Sequence, residues 1–292
     1  GRLSAHFSKA DWAAEQMSGL ENLFYLRQLQ QTIENDWPAV LANLEAIREH
    51  LLSRENMLVN VTADAADWTQ FQPQLGQFLT ELPPKPLSYP DWTPEPLPPN
   101  EGLTIPAQVN YVGKGANIYD LGYEAHGSIS VITNYLRTTW LWEKVRVQGG
   151  AYGGFCVFRK QSGVFSFLSY RDPNLRGTLA NYDGTAKFLS NVHVNGDELT
   201  KSIIGAIGAL DAYQLPDAKG YTSMQRYLLG ITEEERQKYR DEVLATNEED
   251  FKAFAEVLQK INDDGLVVVL GSAEAIKAAN GDKPWLNVAR VM

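Results

Sequence analysis

The stretch "EKVRVQGGAYGGFCVF", residues 143–158, sets four glycines and an alanine around a single tyrosine, Tyr152, with Arg146 six positions before it. A glycine inside a regular element costs about 0.5–1 kcal/mol relative to alanine, so four within six residues predict backbone that bends sharply or admits another chain closely. The patterns on its two sides differ. Upstream, over about 127–144, Ile129, Ile132, Leu136 and Trp140 share one helical face and Val131, Tyr135 and Trp142 another. That pattern predicts a helix buried on most sides and ending near Val145. Downstream, "AYGGFCVFRKQSGVFSFLSYRD" alternates as two strand arms about Gln161, Ser162 and Gly163, which predicts a hairpin.

The rest of the chain mixes the same two periodicities, so the expected class is α+β, with a mainly antiparallel sheet and helices packed on one face. Helical patterning covers about 10–32 (Trp12, Met17, Leu20, Leu23, Leu26, Leu29) and 36–53 (Val40, Leu41, Leu44, Ile47, Leu51). The strand-like "MLVNVTA" (57–63) and a helix from Asp64 follow. "TIPAQVNYVGKGANIY" (104–119) reads as a strand pair or one long bent strand. "ELTKSIIGAIGALDAY" (198–213) reads as an amphipathic helix with Leu199, Ile203, Ile207 and Leu210 inward. Helical patterning then runs to about 262, ahead of strand "GLVVVLGS" (265–272) and a short helix from Ser272 to Gly281.

Eight of the 14 prolines fall in "LPPKPLSYPDWTPEPLPP" (82–99), an extended linker expected to lie against its neighbours through Leu87, Tyr89 and Trp92. Helix, strand and helix recur in the same order on both sides of this linker, at 36–53 onward and at 247–262 onward. The closing unit of a domain therefore occurs twice. The expected division is an incomplete sister domain over 1–82, a linker over 83–102 and a complete α+β domain over 103–292. The chain opens on "GRLSAHF" without methionine and reads as a piece of a longer protein.

With 292 residues, 44% of them hydrophobic, the chain suits about two folded domains. No apolar run approaches the ~20 residues of a membrane helix, and the N-terminus has no signal-peptide pattern, so no membrane partner is expected. A net charge of −10 without any Lys/Arg cluster argues against nucleic acid. The one cysteine, Cys156, excludes an internal disulfide and sits in an apolar alternation as a small core residue. The acidic segment from Glu233 to Asp250, interspersed with Arg236, Lys238 and Arg240, reads as a solvated helix face.

His6, His50, His126 and His193 are scattered singly, none within HExxH or HxxEH, so no self-sufficient metal site is expected. "GGAYGG" follows a helix and enters a strand, the reverse of the order a phosphate cradle needs. The sequon at Asn60 lies in an expected buried strand and reads as accidental. Two accounts of 146–152 remain open on the residues alone. In one, a helix cap and a bulge pack Tyr152 on the sheet while Arg146 caps carbonyls. In the other, an arginine fork and a phenol present donors to a peptide carbonyl or to the oxyanion it becomes.

The combination "LRTTWLWEKVRVQGGAYGGFCVF", the preceding "AQVNYVGKG", the proline-rich linker and the repeated domain tail resembles the C-terminal half of a pitrilysin- or insulinase-type zinc metallopeptidase, of the presequence-protease branch, over essentially all 292 residues. The resemblance implies four related domains in two halves that close on a peptide. It also implies that Arg146 and Tyr152 are the later half's contribution to the closed active site, with Gly149, Gly150 and Ala151 lining the substrate. The implied partners are peptides and the N-terminal half of the same protein. The implied cofactor is zinc, held on an HxxEH that this chain lacks, so the chain alone is expected to be inactive. An organelle matrix or stroma, or a bacterial cytoplasm, is the implied compartment. A noncatalytic structural or docking subunit on the same fold is the alternative.

Overall fold

The strands of the described residues gather in one six-stranded sheet. The computed structural model describes residues 1–55, 57–86 and 93–292. The linker residues Leu87, Tyr89 and Trp92 lie outside the described residues. Strands β1 (Glu101–Thr104), β2 (Tyr111–Asn117), β3 (Gly153–Arg159), β4 (Val164–Tyr170), β5 (Leu266–Gly271) and β6 (Asn287–Arg290) run in the order β3-β4-β2-β5-β1-β6. The pairings β3–β4, β4–β2 and β2–β5 are antiparallel, whereas β5–β1 and β1–β6 are parallel. Antiparallel pairing thus prevails. β1 and β2 are not a pair, because β5 lies between them.

The helices are α1 (Arg2–Ala5), α2 (Lys9–Ser18), α3 (Leu20–Asn35), α4 (Trp37–Leu51), α5 (Ala65–Glu81), α6 (Ser128–Thr138), α7 (Arg176–Ser190), α8 (Gly196–Leu210), α9 (Pro216–Leu229), α10 (Glu233–Leu244), α11 (Glu248–Asp264) and α12 (Ala273–Asn280). A π-helical segment, Trp142–Gln148, follows α6. Local chemistry sets several ends. Asn247 and Asp250 form a capping box on α11, Ser272 accepts from the Ala275 amide, and Gly281 stops α12 at φ +57°.

The chain divides into two compact units. The sheet unit gathers Gly1–Asn22, Pro94–Ala212 and Glu234–Met292; a helical unit comprises Leu23–Thr93 and Tyr213–Glu233. In the sheet unit, Val112, Ala116, Cys156, Phe165, Phe167, Val267 and Val269 point to one face. They close a core with Ile129, Ile132 and Leu136 of α6, Tyr182 of α7, and Phe251, Phe254 and Leu258 of α11. Burying each such side chain is worth about 1.5–3 kcal/mol. The other face carries Tyr111, Gly113, Leu168, Tyr170, Phe155 and Val157 and is half open. The short α1 rests there, with Leu3 Cδ2 3.2 Å from where a Gly113 Cβ would be. Arg2 fastens α1 to β1 by donating from Nε and Nη2 to the Glu101 carboxylate at 2.7 and 2.6 Å, and from Nη1 to Glu21 at 2.7 Å. His6 Nε2 lies 3.3 Å from the same Glu101 group.

The structure corrects several expectations. "MLVNVTA" forms no strand, and Met57, Leu58, Val59 and Val61 are exposed. All strands among the described residues belong to the sheet unit, so this run has no ladder to join. Of the apolar face expected in α4 only Val40 is buried, while Leu41, Leu44, Ile47 and Leu51 are exposed. Gly19 interrupts the helix expected over 10–32. Leu210 and Trp142 are exposed rather than inward.

Candidate functional site

The glycine-rich stretch is the hinge between α6 and the β3–β4 hairpin. From Trp142 the helix widens into π geometry, whose i→i+5 bonding shifts every later side chain around the axis. It ends where the Gly150 amide donates to Arg146 O at 2.9 Å and the Ala151 amide to Val145 O at 3.2 Å. Gly150 takes φ +77°, the left-handed reversal that glycine makes without penalty. At Gly154 a Cβ would lie 2.8 Å from Val145 Cβ, so the strand passes directly over the helix end. Gly149, Gly150 and Ala151 therefore have structural duties. The amides of Gly150 and Ala151 are occupied, Gly149 O accepts from Asn174 Nδ2 at 2.6 Å, and Ala151 is buried. What the three leave beside the site is room.

Tyr152 stands just before β3. Its amide is shared between Tyr170 O at 3.1 Å and Arg171 O at 3.4 Å, so two residues face one in a bulge that turns the side chains at the hairpin's end. Tyr152 is 67% exposed, and its ring meets the Tyr170 ring edge-on at 5.8 Å; Tyr170 meets Tyr111 in the same way at 5.4 Å. Arg146 lies with its guanidinium carbon 4.1 Å from the Trp142 ring centroid and 5.9 Å from that of Tyr152. Beyond these rings, the Arg146 guanidinium has no hydrogen-bond or ion-pair partner among the described residues. The two residues singled out by sequence are thus brought together, both exposed, with no acceptor for their side-chain donors among the described residues. Of the other account, the glycine cap, the bulge and the Tyr152 ring against Tyr170 are present, whereas capping of carbonyls by the Arg146 side chain is not.

Sequence reasoning missed Trp142, Tyr170, Tyr111 and Arg171. Tyr170 was within reach, because the hairpin register about Gly163 places it opposite Gly153. The segment after β4 is rigidly held. Asp172, fully buried, accepts from Thr178 Oγ1 at 2.7 Å and the Asn174 amide at 2.8 Å, and its backbone exchanges bonds with Asn110 at 2.7 and 2.8 Å. Through Asn174 this loop is tied back to Gly149.

Cys156 is buried against the Thr133 carbonyl, and desolvation pushes its thiol up to about 12, which leaves it protonated and inert. Among the described residues no three His, Cys, Asp or Glu groups gather as metal ligands. His126 pairs with Ser128 Oγ at 2.8 Å and His6 with Glu101. The residues present do not suit zinc. No helix among the described residues is long and apolar enough to cross a membrane.

A family model described as the PreP C-terminal domain matches residues 100–273, from the start of the sheet to the start of α12. The chain belongs to the PreP C-terminal domain family. Presequence protease 1, chloroplastic/mitochondrial, of Arabidopsis thaliana is 49% identical over 283 residues, covering 97% of this chain and 26% of that protein. Protein HypA of Clostridium perfringens (strain 13 / Type A) is 31% identical over 263 residues, covering 90% of this chain and 27% of that protein. This PreP C-terminal domain and its flanking segments thus span about a quarter of the length of the curated relatives they match. Among solved structures, pitrilysin aligns over 77% of this chain and 25% of its own at 11% identity, with a TM-score of 0.47.

Proposed function

We propose that this chain is the C-terminal part of a zinc-dependent, oligopeptide-degrading endopeptidase, and that zinc is held by the N-terminal half of the same protein. Arg146 and Tyr152 then serve an active site completed by that half. One observation carries the reading: an arginine and a tyrosine, both exposed, are held on one glycine-hinged turn with their donors free. A peptide carbonyl gains negative charge on its oxygen when attacked, and donors already in place stabilise that charge without reorganising. Tyr152 donates to the oxyanion; Arg146 holds a neighbouring substrate carbonyl. No step is assigned to a metal, because the described residues offer no ligand set for one.

The domain reading is part of the proposal. Residues 1–82 are the tail of a sister domain, 83–102 the linker and 103–292 the complete domain; the exposed apolar faces of α4 and α5, among them Leu44, Ile47 and Phe78, support it. An organelle matrix or stroma is the compartment favoured by a relative named as chloroplastic/mitochondrial.

Kinetics of the full-length protein test the roles. Tyr152→Phe lowers kcat by about 10²–10³ with a small change in KM, because the phenol acts mainly in the transition state. Arg146→Ala damages both constants. Near-normal turnover of folded, metal-loaded Tyr152→Phe protein reduces Tyr152 to packing on its sheet and favours the noncatalytic docking reading.

A further inference from the structure

We propose that Arg171, seated on Tyr170, is a carboxylate-binding residue that extends the Arg146–Tyr152 surface, so that a peptide is held by an anionic group as well as by its carbonyls. The inference rests on the peptidase reading for its ligand and goes beyond it in chemistry. Arg171 is exposed and its guanidinium has no hydrogen-bond or ion-pair partner among the described residues, although the chain has 36 Asp and Glu against 26 Lys and Arg. Several other arginines of the sheet unit are engaged, although Arg137 of α6 is not. Arg2 holds Glu101 and Glu21, Arg240 holds Asp211 through both terminal nitrogens, Arg159 pairs with Asp11, and Arg176 donates to the Ala279 carbonyl. The two unpaired arginines of this site, Arg146 and Arg171, instead lie against rings that touch each other, Arg171 at 5.6 Å from the Tyr170 centroid. A ring face steadies a guanidinium while leaving its fork of N–H donors free, the geometry that matches a carboxylate bidentately.

The backbone makes the same point independently. Arg171 has φ +49°, and Asn100 is the only other non-glycine residue with positive φ among the described residues. Asparagine tolerates that region; arginine pays a steric cost there that glycine avoids. A merely solvated cation has no reason to occupy it. The conformation is enforced from both sides: the shared Tyr152 amide binds Arg171 O, and the buried Asp172 is locked by Asn110, Thr178 and Asn174. The Asn174 bond to Gly149 ties this segment to the turn that carries Arg146 and Tyr152. Strain retained at one exposed arginine beside the candidate site marks a side chain aimed for use.

A peptide offers carboxylate at its C-terminus or on Asp and Glu side chains, and the test separates the two. Binding of fluorescein-labelled peptides to the full-length protein is measured by anisotropy with turnover blocked by a chelator. One pair differs only in a free or amidated C-terminus, the other only in internal Glu or Gln. The native protein is expected to prefer the carboxylate member of one pair by about tenfold in Kd. Arg171→Gln abolishes that preference, and Arg171→Lys keeps part of it. Arg171→Gly loses the preference too while the protein melts no lower than the native chain, which a structural role for the arginine does not allow. Equal binding within both pairs, or a preference that survives Arg171→Gln, overturns the proposal. Turnover of Tyr152→Phe, measured separately, decides the peptidase reading and leaves the binding result untouched.

Discussion

Arg146 lies over the ring of Trp142, four residues earlier, a contact that restricts where its donors sit. A cation–π stack at a half-open position is worth about 0.5–1 kcal/mol, so Trp142→Ala is expected to raise KM by about two- to fivefold with kcat little changed. Trp142→Phe should restore most of the loss, and a Trp142→Ala protein with native KM leaves Arg146 to orient itself. Arg146 and Tyr152 were legible in the sequence because six residues and four glycines can be counted. Trp142 was not, since a 3.6-residue period assigns it to the buried face, whereas α6 ends at Thr138, Thr139 leaves helical geometry at φ −117° and ψ −91°, and Trp142 comes out 45% exposed. Arg171 was invisible for a different reason: nothing in "SYRDP" announces a left-handed arginine.

Among elements, the contrast between 57–63 and β5 shows what periodicity leaves undecided. Both are short apolar runs between helices, but β5 is flanked by β2 and β1, whereas "MLVNVTA" has no strand beside it among the described residues. Neighbours decide, and they are far away in sequence. β6 was missed because four exposed residues have no buried face to show. The clasp joining α1 to β1 has a pH signature. Desolvation pushes the Glu101 carboxyl upward, but hydrogen bonds from His6 and Arg2 outweigh it and hold the pKa below the ordinary glutamate value. A lowered folded-state pKa stabilises above the unfolded value of about 4.3 and loses that stabilisation as pH falls through the folded value. The urea midpoint of this chain is therefore expected to drop as pH falls below about 4.3, and Glu101→Gln to be less stable at pH 7 with a shallower acid decline. Parallel acid limbs for the two proteins would mean that the clasp contributes nothing to the slope.

At the scale of the molecule, the fold class was legible because helix and strand periods alternate along the chain; the grouping of segments was not. Gly1–Asn22 joins the sheet unit across more than seventy intervening residues, a long-range contact without a local pattern. The purified 292-residue chain is expected to bind no stoichiometric zinc and to cleave no peptide, and to contribute to activity only together with the N-terminal half. One equivalent of zinc by elemental analysis, with chelator-sensitive cleavage, contradicts this. The strand order has a further consequence, for the ribosome. Among the described residues β1 pairs with β5 and β6 alone, Glu101 facing Val268 on one side and Asn287 on the other. At about 5–20 residues per second, β1 waits on the order of 10–30 s after synthesis for its first neighbour. Through that interval the nascent chain carries an unsatisfied strand, and its dependence on chaperones should fall sharply once β5 emerges.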